Sequence, residues 1–163
     1  MKILDKKQIE QKIRRLAIQI VENNFSEKEI ILAGINNNGM RFAELIKRQL
    51  ESITDKTIHL TQLKLDPASP TSGEIVIDTE DAQLRRKVII IVDDVANTGR
   101  TIFYAFKPLM EVLAKRIETA VLVDRKHKSF PVKIDYVGLS LATTVQENIE
   151  VNLKGRSWSA SLN

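Results

Sequence analysis

A three-layer α/β domain with a mostly parallel central sheet is predicted by three features of the 163-residue sequence. Val88-Ile-Ile-Ile-Val92 is a run of five aliphatic residues rich in β-branching, as expected of a strand buried on both faces. Strand-like and helix-like patterns alternate from residue 29 to residue 123, the signature of helices packed on a parallel sheet. Ile9, Ile13, Leu16, Ala17, Ile20 and Val21 recur at helical spacing ahead of them. With no internal repeat or linker, residues 1–163 read as one domain.

Taken in order, Asp5 and Gln8 form a capping-box pair for a helix over residues 6 to 23. Residues 29 to 33 form a short apolar strand, residues 34 to 39 a turn, and residues 40 to 52 a helix through Phe42, Leu45, Ile46 and Leu50. Residues 56 to 65 alternate as a strand, with Ile58 and Leu60 on one face and Thr57, His59 and Thr61 on the other. Two prolines and small polar residues make 66–73 irregular, an exposed connection or a lid. Residues 74–78 return as a strand, and 79–87 approach the central strand as a polar segment. After residue 93 comes a turn and a helix from about 101 to 115, whose stripe is Ile102, Phe106, Leu109 and Leu113. Pro108 predicts a kink or a new start near Lys107. Strands over 120–123, 134–141 and 149–153 complete the pattern. Right-handed crossovers place the turns after residues 33, 93 and 123 on one edge of the sheet, as one composite site.

Composition excludes several classes of chemistry. Cys is absent and the two His are far apart, so disulfides, thiolate metal sites and a zinc centre are not expected. No apolar run approaches the ~18 residues of a membrane span, and the charged start lacks a signal-peptide core, so a cytoplasmic location without membrane association is expected. The net charge of +4 and pI near 9.3 fit an anionic ligand or nucleic acid, and equally a well-solvated surface.

The chemistry concentrates after Val92. Gly99 permits close approach of backbone to a phosphate, Thr98 and Thr101 add hydroxyl donors, and the following helix offers free N–H groups. Asp93 and Asp94 would repel that phosphate, so they suit another part of the ligand. Vicinal sugar hydroxyls are matching donors, and a carboxylate also stabilises positive charge developing on a sugar ring. The ligand read from this stretch is a sugar phosphate.

The run Val92-Asp-Asp-Val-Ala-Asn-Thr-Gly-Arg-Thr101 resembles the phosphoribosyl pyrophosphate (PRPP) motif of the type I phosphoribosyltransferases. Over nearly the whole chain the likeness is greatest to the pyrimidine operon regulators that are also uracil phosphoribosyltransferases, carried by Val121-Leu-Val-Asp-Arg125, His127, Pro131 and Asp135-Tyr-Val-Gly138. The resemblance implies a small hood over the sheet and transfer of a 5-phosphoribosyl group from PRPP to a nucleobase, uracil favoured, with release of pyrophosphate. It implies Asp93 and Asp94 as the catalytic pair on the ribose hydroxyls, and as contacts to Mg²⁺, directly or through water. Ala96, Asn97, Thr98, Gly99, Arg100 and Thr101 would wrap the 5-phosphate. Asn36, Asn37, Asn38 and Gly39 would form the pyrophosphate loop, with 66–73 as lid. Asp124, Arg125, Tyr136 and Val137 would bind the base, Tyr136 by stacking and Val137 through its backbone.

This sequence departs from the family at several points. The pyrophosphate loop has no basic residue, leaving Arg41 as the nearest cation; Lys64 is the nearest candidate for the basic residue expected at the lid; and Leu139 stands where the regulators tend to carry Lys. Purine salvage enzymes carry Asp at the position of Asn97 and Lys at that of Asp124, so a purine-base transferase is the weaker alternative. A further alternative is a nucleotide-sensing RNA-binding attenuation regulator, with Arg14, Arg15, Arg85, Arg86, Lys126 and Lys128 as its basic surface. The family relationship also implies a homodimer or higher homo-oligomer.

Overall fold

The computed structural model describes residues 1–144 and 146–163. Helix α1 (Lys6–Asn23) starts at the expected box: Asp5 accepts from Gln8 N–H and donates its own N–H to the Gln8 side chain, both at 2.9 Å. Strand β2 (Glu29–Ile35) follows β1 (Lys2–Leu4), and α2 (Asn36–Glu51) then leads to β3 (Thr57–Lys64). Strand β4 (Val76–Ile77) returns antiparallel to β3, as the excursion through 66–73 predicts. After the short helix α3 (Asp81–Leu84) come β5 (Val88–Ala96), α4 (Arg100–Ala105) and a 3-10 turn at Lys107–Leu109. Strands β6 (Arg116–Arg125), β7 (Tyr136–Leu141), β8 (Ile149–Asn152) and β9 (Ser159–Leu162) complete the described elements.

The main sheet has the order β4-β3-β2-β5-β6-β7, parallel except for β4. Alternate residues of β5 face opposite ways: Val88, Ile90 and Val92 join the core beneath α1 and α2, while Ile89 and Ile91 join the one beneath α4. Both faces are thus buried, as the aliphatic run demands. The three-layer α/β expectation holds. Strands β1, β9 and β8 form a separate antiparallel sheet, the hood, which unites residues from both ends of the chain. It is tied by the Met1 amino group donating to the Leu162 carbonyl at 2.5 Å, and by Trp158 lying 4.9 Å from the Lys6 ammonium.

Several boundaries differ from the sequence expectation. Residues 36–39 are the first turn of α2 rather than a loop before it; Asn36, at φ 52°, makes the corner, a left-handed conformation that Asn tolerates better than most residues. Helix α4 is far shorter than 101–115, because Pro108 starts a new 3-10 turn, and Leu113 ends 69% exposed instead of in the core. Strand β3 buries Thr61 and Leu63 on the face assigned to polar residues, and Thr61 is satisfied there by donating to Asp78 at 2.5 Å. Strands β1 and β9 were not anticipated, since three or four residues paired across the length of the chain leave no local pattern.

Tyr136 is the main correction. Its side chain is 1% exposed in the core under α1, where its hydroxyl donates to Glu118 at 2.8 Å and accepts from Asn24 at 3.3 Å. Desolvation and the Glu118 carboxylate both raise its phenol above the ordinary range. A ring held there is a structural member of the α1–β6–β7 contact and cannot stack on a base. Tyr136→Phe is expected to lower stability by about 1–2 kcal/mol, because Glu118 loses a buried donor; a urea unfolding curve with an unshifted midpoint would contradict this.

Candidate functional site

The chain leaves β2 toward β3 through α2 on one face, and leaves β5 toward β6 through α4 on the other. β2 and β5 are neighbours, so their C-terminal ends flank the point where the winding reverses, the standard ligand crevice of an open α/β sheet. A cleft of about 650 Å³ opens there. A second groove of about 610 Å³ lies at the opposite edge, around Glu29, Thr57 and Lys87 where parallel strands begin, away from this point.

The cleft brings together three main segments, joined by Pro67 from the irregular 66–73 stretch. From the β2–α2 corner come Asn36, Asn37 and Asn38, with Arg41 one turn further on. From β5 and its turn come Asp93, Asp94, Val95, Asn97 and Thr101. The third wall is the hood, 149–154, a contribution that the sequence reading missed. The alternation of Ile149, Val151 and Leu153 with Glu150, Asn152 and Lys154 marks a strand, but nothing local says that it faces Asp93. Arg41 seats the hood by donating to the Leu153 carbonyl at 3.2 Å.

Helix α2 has no side-chain cap, so its first N–H groups are free at the cleft. A sixteen-residue helix directs the positive end of its dipole there, which suits an anion without any basic residue in the turn. Gly39 is not among the residues lining this cleft. It is buried against β5, where an added Cβ would stand 2.5 Å from the Val92 carbonyl oxygen, and so allows the start of α2 to lie on the sheet.

Asp93 is 8% exposed, and its carboxylate accepts the Asp94 N–H at 2.9 Å; Asp94 in turn accepts the Val95 N–H at 2.9 Å. Neither carboxylate has a basic partner among the described ion pairs. Burial, reinforced by the Asp94 charge, pushes Asp93 well above the usual carboxylate range, and burial also raises Asp94.

Other sequence candidates lie outside the cleft lining. Arg100 points from the β5 turn to the Pro67 carbonyl oxygen at 2.5 Å, fastening the irregular 66–73 segment. Thr98 and Gly99 form the turn itself, with Gly99 at φ 85°, and Ala96 is buried. Asp124 is paired with Lys128, Arg125 donates to the Thr144 carbonyl, and Val137 packs against the core under α4. The base-binding set inferred from resemblance is therefore not assembled around this cleft. Nor do the six basic residues proposed for RNA share one face: Arg14 and Arg15 are exposed on α1, Arg85 and Arg86 precede β5, and Lys126 follows β6 at the opposite sheet edge.

Known proteins resemble this chain over nearly its whole length. The phosphoribosyl transferase domain family matches residues 1–154. The chain is 35% identical over 169 residues to the bifunctional protein PyrR of Clostridium acetobutylicum, covering 99% of this chain and 95% of that protein. It is 36% identical over 159 residues to the bifunctional protein PyrR of Fusobacterium nucleatum, covering 93% and 90%. Among solved structures it is similar to the hypoxanthine phosphoribosyltransferase of Trypanosoma cruzi, with a TM-score of 0.77 at 15% identity, covering 91% of this chain and 84% of that one. A hypoxanthine-guanine phosphoribosyltransferase of Bacillus anthracis gives 0.74 at 19% identity, covering 91% and 86%. At such identities the structural likeness concerns the fold.

The raised carboxylates make stability depend on pH. The folded chain holds the Asp93 proton more tightly than the unfolded chain, so this contribution is full below the ordinary Asp range and is lost as pH rises through the raised folded value. Asp93→Asn should therefore raise Tm at neutral pH by about 2–4 °C or more, the shift that 1 kcal/mol produces at this size. The gain should vanish in acid, below the ordinary Asp range. Thermal melts of both proteins across pH test this; a gain that is equal at every pH refutes it.

Proposed function

The chain belongs to the phosphoribosyl transferase domain family, and from that premise we propose that this phosphoribosyltransferase joins uracil to PRPP, with Mg²⁺ as cofactor, at the cleft between β2 and β5. The observation that carries this reading is the pair of buried Asp93 and half-buried Asp94, without a cation among the described ion pairs, between the free helix start at Asn36–Asn38 and the turn at Asn97–Thr101.

Each part has a distinct task. The free N–H groups of α2 receive the pyrophosphate, and the turn through Thr98 and Gly99 receives the 5-phosphate. Asp93 and Asp94 accept the ribose hydroxyls and lie beside the ring as its bond to pyrophosphate loosens and positive charge develops, so that stabilisation grows toward the transition state. Position and electrostatics supply the catalysis, without a covalent enzyme intermediate. The donor set also suits the cation: two carboxylates at the cleft, with no cluster of three or more acidic, His or Cys ligands among the described residues, match a metal that keeps most of its coordination on ligand oxygens and water. When bound, Mg²⁺ supplies charge neutralisation on the pyrophosphate oxygens.

Uracil is favoured over a purine because Asn97 lines the cleft at the position where the family resemblance implies an Asp in purine enzymes. RNA-binding regulation gains no support from the basic residues, which are spread over both sheet edges and α1. A homo-oligomeric state, a single domain and a cytoplasmic setting complete the proposal; among the described residues no helix is long and apolar enough to cross a membrane.

Pyrophosphate release from PRPP and Mg²⁺ with each common nucleobase in turn is the direct test, with uracil expected to give turnover. Asp94→Asn should reduce kcat by about 10²–10³-fold with the fold intact, the scale of losing one charge-stabilising group. No release with any base would refute the activity, and release with hypoxanthine or guanine alone would refute the choice of uracil.

A further inference from the structure

A basic side chain braces the β5 turn from behind. The segment after β6 passes the turn closely enough that Ser129 and Phe130 both donate their N–H groups to the Thr98 carbonyl, at 3.0 and 3.1 Å. Lys128, immediately before them, lays its stem along the turn, with its Cδ 3.4 Å from where a Cβ on Gly99 would stand. Its ammonium donates to Asp124 Oδ1 at 2.5 Å and to the Arg125 carbonyl. Asp124 is in turn the register partner of Ala96, the last residue of β5 before the turn. Both side chains are mostly buried, 20% exposed for Lys128 and 17% for Asp124, so solvent screens the pair weakly.

The geometry has a directional consequence. A trans peptide is planar, with its carbonyl and N–H pointing opposite ways. The Thr98 carbonyl and the Gly99 N–H belong to one such unit. Two donors on that carbonyl fix the plane, and thereby aim the Gly99 N–H away from the 126–130 segment, to the inner side of the turn. Gly99 is held at φ 85° between these contacts and Val132, whose Cγ2 would stand 2.5 Å from an added Cβ.

We propose that Lys128, anchored on Asp124, is a positioning residue for PRPP: it holds the 126–130 segment that orients the Thr98–Gly99 peptide, and it places positive charge behind the turn that receives the 5-phosphate. This inference rests on the assignment of that turn to PRPP. Arg100, the basic residue inside the turn, is engaged with Pro67 instead. The ammonium, paired with the Asp124 carboxylate, is thus anchored while the Lys128 stem lies against the turn.

Three substitutions separate charge from packing. Lys128→Met keeps most of the stem and removes the charge, Lys128→Arg keeps the charge, and Asp124→Asn removes its anchor. Calorimetric titration with ribose 5-phosphate and with PRPP, beside steady-state kinetics, gives the readout. Lys128→Met is expected to weaken both ligands and raise the KM for PRPP about tenfold. Its kcat and its KM for the base should stay within about twofold, the pattern of lost ground-state binding. Lys128→Arg should recover most of the affinity, and Asp124→Asn should shift it in the same direction as Lys128→Met. Wild-type affinity in Lys128→Met overturns the inference, as does a variant whose kcat and both KM values worsen together. If the wild-type chain binds neither ligand, the assignment of the turn itself fails, and this inference with it.

Discussion

Everything in this molecule follows from burying β5 on both faces. Five aliphatic residues pointing alternately up and down need cover on each side, and α1 with α2 supply one layer while α4 supplies the other. The connections must then leave β2 and β5 on opposite faces, and two neighbouring strands with opposed crossovers leave a crevice between their ends. The cleft is thus a topological result of the hydrophobic pattern, and its chemistry is whatever residues stand at the strand ends. Here those are two acids and four asparagines, Asn36 to Asn38 and Asn97.

The same arrangement sets an electrostatic conflict. Asp93 and Asp94 extend the strand beyond its aliphatic part, so Asp93 inherits its burial and Asp94 part of it, without acquiring a counter-ion. Hydrogen bonds from the Asp94 and Val95 backbones hold the carboxylates in place but do not offset the loss of water. Other acids that lose water are met by donors: Glu118 by Tyr136 and Asn24, and Asp78 is held low, first by the Thr61 hydroxyl, despite partial burial. Asp93 and Asp94, held by backbone N–H groups alone, stand at the cleft, where a ligand offering hydroxyls and a cation relieves them. Stability is given up at the place where binding recovers it.

How much of this was legible depended on the range of the interaction involved. The β5 strand, the α1 cap, the break at Pro108 and the shared edge of the strand ends are local patterns or consequences of chain handedness, and the sequence carries them openly. Asp93, Asp94, Asn97 and Thr101 were readable for the same reason, since one contiguous stretch delivers them to the cleft. The hood was expected only through the family resemblance; its makeup was not legible, because β1 and β9 meet only after the ends of the chain come together, and the wall formed by 149–154 depends on that meeting. Tyr136 failed differently. A tyrosine in a half-apolar strand fits either a core or a binding face, and the choice was made by Glu118 and Asn24, residues distant in sequence that offer its hydroxyl partners.

Contacts among the turns explain how a site with so few cations is held together. Asn36, at the corner before α2, accepts from the Leu65 N–H at 3.0 Å, and Arg100, after the β5 turn, donates to the Pro67 carbonyl at 2.5 Å. The root of the 66–73 segment is thereby fixed to both sides of the cleft, by one neutral and one charged hydrogen bond. That use of Arg100 has a cost, because a guanidinium committed to a backbone carbonyl is not directed at the inner side of its own turn. The turn must then draw its attraction for an anion from oriented N–H groups, whose direction depends on what grips the carbonyls behind them. The two N–H donors on Thr98, and the Lys128–Asp124 pair beside them, are that grip. The affinity of the front of the turn is accordingly set from its back.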